Sequence, residues 1–209
     1  DINYSDLGFK IEDLKDLSKE QLERQLTDVE VKKIKQGIRF GLSAVKNVGE
    51  GAIESIIKGR ASGNYSSLYD LISRVDNRLV NRKTLESLIK AGALDNLGSR
   101  AGQLLILDQC LDESHKVAKN KLSGQLSLFE EEEGADSNGV KLPQVDELPL
   151  EQLLIFEKDL LGFYLHEPPY LQALQKIASA SPVKITDLSD EHIGKSLTLG
   201  GVITRIKKV

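Results

Sequence analysis

Phe40–Lys58 reads FGLSAVKNVGEGAIESIIK. The spacing predicts a short helix ending near Lys46, a tight turn over Asn47, Val48 and Gly49, and a second helix opening near Glu50–Gly51. Gly49 is the residue expected to take the positive φ that reverses the chain. Gly51 has no side chain, so a ligand can approach its backbone closely. The first N–H groups of a helix have no intrahelical acceptor and point outward. With the positive end of the helix behind them, they form a ready anion site. Lys46 and Lys58 are expected to bracket the turn and add charge.

A second unit of the same style follows. Asn81–Lys90 is patterned as a helix with Leu85, Leu88 and Ile89 apolar, Ala91–Gly92–Ala93 makes a turn, and Leu94 opens the next apolar segment. Arg82, Lys83, Lys90 and Arg100 surround that turn. Two helix–glycine–helix units suggest a pseudo-symmetric pair, each half holding one strand of a duplex by its phosphates. Such binding reads charge and shape, so it is independent of base sequence and sensitive to salt. A helix–glycine–helix turn also occurs as a plain connector in many helical proteins.

The charge distribution favours the binding reading. The net charge of the 209-residue chain is −4. Residues 1–30 carry a net of −5, residues 31–125 a net of +7 and residues 126–209 a net of −6. A basic middle between acidic flanks is the footprint of a phosphate-binding module.

The remaining pattern is mainly helical. Ser18–Lys35 reads as a helix capped by Ser18. Ile38–Leu42 is short and apolar, either a strand or a helical start. Tyr65–Val75 and Gly98–Leu111 are further helices. Ser123–Leu142, with its acidic run Glu130–Glu133 among Gly, Ser and Asn, is a solvated linker by composition. Pro149–Leu165 resumes helical order, Pro168–Pro169 interrupts it, and Tyr170–Ala178 is a short last helix. The end differs: Leu197, Leu199, Val202, Ile203 and Ile206 lie among Gly and Thr and read as a strand with a bulge at Gly200–Gly201. One strand makes no sheet, so a β domain is expected to begin here and continue beyond the chain. The chain contains no Met, so Asp1 is likewise expected to be an internal residue of a longer protein or the end of a cut one.

The linker carries one apolar island, Gln125–Phe129, reading QLSLF. Leu126, Leu128 and Phe129 have no core to join there, so they call for a partner's pocket. The competing reading folds Leu128 and Phe129 back on the Gly98–Leu111 helix. Cys110, the one cysteine, lies on an apolar helical face and reads as core rather than as a reactive thiol. Tyr65 and Tyr69 read as packing residues. His115, His166 and His192 lie far apart, so no short metal motif is present. No apolar run is long enough to span a bilayer.

Together these stretches resemble a known family. Ile38–Lys58, IRFGLSAVKNVGEGAIESIIK, closely resembles the region just after the polymerase core in the alpha subunit of bacterial DNA polymerase III. Asp1–Ser5, DINYS, is similar to the end of its fingers region, and Leu79–Leu97, LVNRKTLESLIKAGALDNL, to its second helix-hairpin-helix. Glu157–Leu165, EKDLLGFYL, resembles the helix before its OB domain, and Gly194–Val209, GKSLTLGGVITRIKKV, that domain's first strands. QLSLF is similar to its sliding-clamp motif. Two departures are visible. Lys10–Gln36 is longer and more charged than the family pattern, and His166–Tyr170, HEPPY, replaces the usual turn.

The resemblance implies a mainly α chain. It would comprise the end of the fingers (1–36), a tandem helix-hairpin-helix module (37–122), a linker with a clamp-binding peptide (123–148), connecting helices (149–182) and the first strands of an OB domain (183–209). Lys46, Asn47, Val48, Gly49, Glu50, Gly51, Lys58, Arg82, Lys83, Lys90, Gly92 and Ala93 would hold double-stranded DNA. Gln125, Leu126, Ser127, Leu128 and Phe129 would hold the sliding clamp, with Gln125 at the pocket's edge and Leu128 and Phe129 on its floor. The whole polymerase would use Mg²⁺ and work with other replisome subunits in the cytoplasm, away from membranes. This segment would contribute grip and tether, with no catalytic residue, metal ligand or cofactor of its own. The rival readings are a non-enzymatic DNA-binding clamp adaptor and a hairpin segment of a repair ligase or nuclease.

Overall fold

In the computed structural model, residues 1–13, 36–122, 140–167, 176–177, 187–199 and 206–207 are described. The chain divides into two compact units, residues 1–163 and 164–209. The expected helix Ser18–Lys35 and the peptide Gln125–Phe129 lie outside the described residues.

The first unit is mainly α, as the periodicity predicts. Its helices among the described residues are α1 (Glu50–Gly59), α2 (Leu68–Arg74), α3 (Arg82–Lys90), α4 (Arg100–Leu122) and α5 (Leu150–Leu161). They enclose one core. Ala52, Ile53 and Ile56 of α1 meet Leu68, Leu71 and Ile72 of α2, Leu85, Leu88 and Ile89 of α3, and Ile106, Leu107 and Cys110 of α4. Spacings of three and four put each set on one helical face. Cys110 is fully buried, and burial pushes its thiol up to about 11, so it behaves as a core residue.

Local chemistry sets the helix starts. Ser67 Oγ accepts from the Asp70 N–H at 3.0 Å and begins α2 three residues later than the pattern suggests. Tyr65 is thereby left before the helix. Its backbone pairs with the Asn3 amide at 2.8 and 3.0 Å, its hydroxyl donates to the Ile56 carbonyl at 2.7 Å, and the Arg74 guanidinium covers its ring. Asn81 Oδ1 accepts from the Thr84 N–H at 3.0 Å and caps α3.

The ambiguity at Ile38–Leu42 is resolved in two parts. Gln36–Arg39 is strand β2, antiparallel to β1 (Lys10–Asp13), with Ile11 opposite Ile38. Leu42–Ala44 is then a single 3₁₀ turn, shorter than the helix expected to end near Lys46. Phe9 meets Phe40 edge to face and Phe40 meets Phe163 with tilted rings, at centroid separations of 5.0 and 4.8 Å.

In the second unit, a 3₁₀ turn spans Asp190–His192. Leu197 and Leu199, expected to form a strand, are exposed and carry no strand pairing among the described residues. A strand needs a ladder partner, and alternating apolar residues alone do not supply one. Gly200–Gly201, Val202 and Ile203 lie outside the described residues.

Candidate nucleic-acid interface

The turn before α1 is a hairpin with open backbone donors. Asn47, not Gly49, takes the left-handed conformation, at φ 68°. Gly49 is extended at φ −81°, ψ 156°, and serves as the helix cap, its carbonyl accepting from the Ala52 and Ile53 N–H groups at 3.0 and 3.1 Å. Asn visits the left-handed region more readily than other non-glycine residues, so the sequence did hold this signal. Asn47 is then pinned: its carbonyl accepts from the Thr84 hydroxyl at 3.4 Å, and its amide donates to Ser87 Oγ at 3.3 Å.

The N–H groups of Gly49, Glu50 and Gly51 find no acceptor among the described residues. They sit on the first turn of α1, where the helix dipole favours an anion. The approach is clear. A Cβ on Gly49 would meet nothing within 4 Å, and one on Gly51 would meet only the Leu79 side chain at 3.7 Å. Val48 is half-buried and anchors the turn on the core. Lys46 is exposed, and its N–H donates to the Leu160 carbonyl of α5 at 2.9 Å. Lys83, exposed in the first turn of α3, is the neighbouring cation, through the Asn47–Thr84 bond.

Lys58 does not bracket this turn. It stands in the last turn of α1, about 12 Å along the axis from the open amides at 1.5 Å per residue. There it lines a separate cleft of about 450 Å³ with Ser55, Gly59, Ser62, Arg74, Val75 and Asp76.

The second hairpin has the opposite character. Gly92 does take the left-handed conformation, at φ 78°. Its N–H donates to the Ile89 carbonyl, and the Ala93 N–H donates to the Leu88 carbonyl, both at 2.9 Å. This is the Schellman closure of α3, and it consumes both amides. The space over Gly92 is filled by the Arg100 guanidinium and the Asp95 carboxylate.

Arg100, one of the four cations expected around this turn, is only 3% exposed. It donates to both Asp95 oxygens at 2.9 Å, to the Lys90 carbonyl at 3.0 Å and to Glu157 Oε1 of α5 at 3.5 Å. Burial works against its charge, but the Asp95 hydrogen bonds and the surrounding carboxylates outweigh it and raise its pKa. Arg82 is engaged as well, with Asp108 of α4 at 2.6 Å and Glu86 at 2.8 Å. Lys90 pairs with Glu86 and lies over the Phe156 ring.

At the N-terminus of α4 an acceptor is already seated. The Glu147 carboxylate takes the Arg100 N–H at 2.7 Å, the Ala101 N–H at 2.9 Å and the Leu148 N–H at 2.8 Å. Burial raises its pKa, but these three donors outweigh that and hold the carboxyl below its usual range. Nothing near Glu147 in the sequence announces the contact with α4, because the Arg100 and Ala101 donors lie more than forty residues earlier.

A tandem pair of helical hairpins, one with open amides, is the arrangement that known proteins can be compared with. Residues 1–104 match the family model described as helix-hairpin-helix motif. The chain is 34% identical over 172 residues to DNA polymerase III subunit alpha of Haemophilus influenzae, covering 79% of this chain and 15% of that protein. It is 36% identical over 181 residues to the Thermus aquaticus protein of the same name, covering 84% and 14%. Against the Helicobacter pylori strain J99 protein of that name it is 37% identical over 201 residues, covering 93% and 16%.

The chain belongs to the DNA polymerase III alpha-subunit family. It spans about a seventh of the length of these family members. The family-based expectation of a helix-hairpin-helix region therefore holds, and the geometry distinguishes its two hairpins. Among the described residues of this family segment, no three His, Cys, Asp or Glu side chains cluster as a metal site would require. Nor is any described helix long and apolar enough to cross a membrane.

Proposed function

We propose that this segment grips double-stranded DNA by its phosphates within a DNA-directed DNA polymerase, through the hairpin at Asn47–Gly51. The supporting observation is the set of three open amides at Gly49, Glu50 and Gly51, backed by a helix dipole and flanked by exposed Lys46 and Lys83. Charge-assisted bonds from backbone amides to a phosphate carry no base information, so the grip tolerates any sequence. Lys83 and Lys46 add long-range attraction, while Arg82 and Lys90 serve mainly to hold α3 against its neighbours.

Gly49→Val is the direct test. Its extended backbone accepts Val and its Cβ position is open, so the fold survives with a loss under about 1 kcal/mol at the cap. The added methyl groups stand in the path of a phosphate. Duplex affinity measured by fluorescence anisotropy at low salt should fall roughly tenfold, the loss of about one charge-assisted contact. Unchanged affinity in a folded variant would sink the proposal.

The family likeness of QLSLF supports a second role, tethering to a sliding clamp. Leu128 and Phe129 would each bury side-chain surface in the clamp's pocket, contributing about 1.5–3 kcal/mol before ordering costs. A weak single contact of this kind becomes effective once DNA holds the same chain nearby. Replacing both residues with Ala should reduce clamp binding in a pull-down or titration by at least about tenfold and leave duplex affinity intact. Loss of both activities together would assign the peptide to the fold instead. In the whole polymerase, Mg²⁺ and the carboxylates that hold it would belong to parts outside this segment, with further replisome subunits as partners in the cytoplasm.

A further inference from the structure

The second hairpin is shut by the chain's own acid. Glu147 lies on a strap, residues 140–149, that leads into α5. Its carboxylate occupies the N-terminus of α4, taking the two amides that a phosphate would take in the equivalent position of the first hairpin. The strap has a fitted seat. The Leu142 side chain packs directly over Gly98, where a Cβ would collide with it. At Gly102 a Cβ would lie 3.2 Å from both Leu142 Cδ1 and the Pro143 carbonyl oxygen. Val140 packs against the core beside them. Two glycines four residues apart, Gly98 before α4 and Gly102 in its first turn, thus make room for this strap, and the acid is delivered onto the helix end.

We propose that Glu147 is a built-in phosphate substitute: a strap residue that closes the second hairpin to DNA, so that duplex is held through the first hairpin until the strap lifts. The inference rests on the phosphate-binding reading of the first hairpin. A carboxylate and a phosphate compete for the same two N–H groups and the same helix dipole, and both cannot be accommodated. Closure therefore lowers the number of phosphates the module engages.

The test uses the full chain with random-sequence duplex DNA, titrated by anisotropy over a series of NaCl concentrations. Glu147→Ala should bind about three- to tenfold more tightly than the parent, and its plot of log K against log salt should steepen by about one. Glu147→Gln keeps the shape but loses the charge, and should give a smaller gain of the same sign. In amide NMR spectra, the Arg100 and Ala101 resonances should move on DNA addition in the Ala variant and stay in place in the parent, where Glu50 and Gly51 move instead.

Equal affinities and salt slopes in folded parent and variants overturn the clasp while leaving the first-hairpin reading intact. Binding in the variants with none in the parent overturns that reading and, with it, the proposal that the first hairpin holds duplex while the strap is closed. Absence of binding in all three overturns both. Failure of both variants to fold, judged by amide dispersion, also overturns the clasp by making Glu147 a structural brace.

Discussion

Arg100→Ala will lower the stability of the first unit by about 3–5 kcal/mol, the range seen when one partner of a buried ion pair is removed. Arg100 is 3% exposed and faces a Glu157 side chain that is fully buried. The substitution takes the cation away from that carboxylate. It also strips the Lys90 carbonyl of a donor and removes the packing over Gly92. These effects act where α3, α4 and α5 meet. Urea unfolding followed by circular dichroism should show a midpoint well below that of the parent. The double change Arg100→Leu with Glu157→Leu should recover part of the loss, since it takes both charges out of the interior. A loss under about 1 kcal/mol for the single variant would place Arg100 among ordinary surface cations.

Gly92→Val will be nearly as damaging, about 2–4 kcal/mol, from strain in the left-handed backbone together with overpacking. At φ 78° a β-branched residue is strained, and its Cβ would fall on the Arg100 guanidinium. It would also stand 2.9 Å from Asp95 Oδ2. The contrast with Gly49→Val is the informative part. The same substitution at the two glycines should give a folded protein with weakened DNA binding at Gly49, and a destabilised one at Gly92. Equal thermal midpoints for the two variants would contradict the division of roles between the hairpins.

The two glycines look alike in sequence because both stand between helical patterns in a basic stretch. They differ because a reversal needs only one left-handed residue. In the first hairpin Asn47 fills that role, which frees Gly49 to cap α1. In the second, Gly92 does so itself, and its amide closes α3. The Asn was readable as a left-handed candidate; which residue of the turn reversed the chain depended on Thr84 and Ser87 of α3 holding Asn47 in place. Similarly, Lys58 and Lys46 are near in sequence to the same turn, but a helix of ten residues carries Lys58 to its far end.

The cations divide in the same way. Arg82, Lys83, Lys90 and Arg100 form one basic group in the sequence, yet only Lys83 is without an ion-pair partner among the described residues. Glu86 engages Arg82 and Lys90 from one turn away on α3, and Asp95 engages Arg100 from five residues before it, while Asp108 and Glu157 reach Arg82 and Arg100 from distant positions. Charge counting along the chain cannot see the Asp108 and Glu157 pairings, because those partners are brought together by the packing of α3 against α4 and of α4 against α5.

What the amino-acid order determined unaided is the helical class, the core faces of α1 to α3, the family, and the hairpin at Asn47–Gly51; on α4 the apolar run left the face open, and Leu105 is exposed while Ile106 is buried. All of these rest on local periodicity, turn chemistry and short quoted stretches. What required the folded chain is which hairpin keeps its amides open. That depends on Arg100 turning inward over Gly92 and on Glu147 reaching back to the start of α4, contacts between groups remote in sequence. Their free energy depends on burial and distance, and neither exists until the helices have packed.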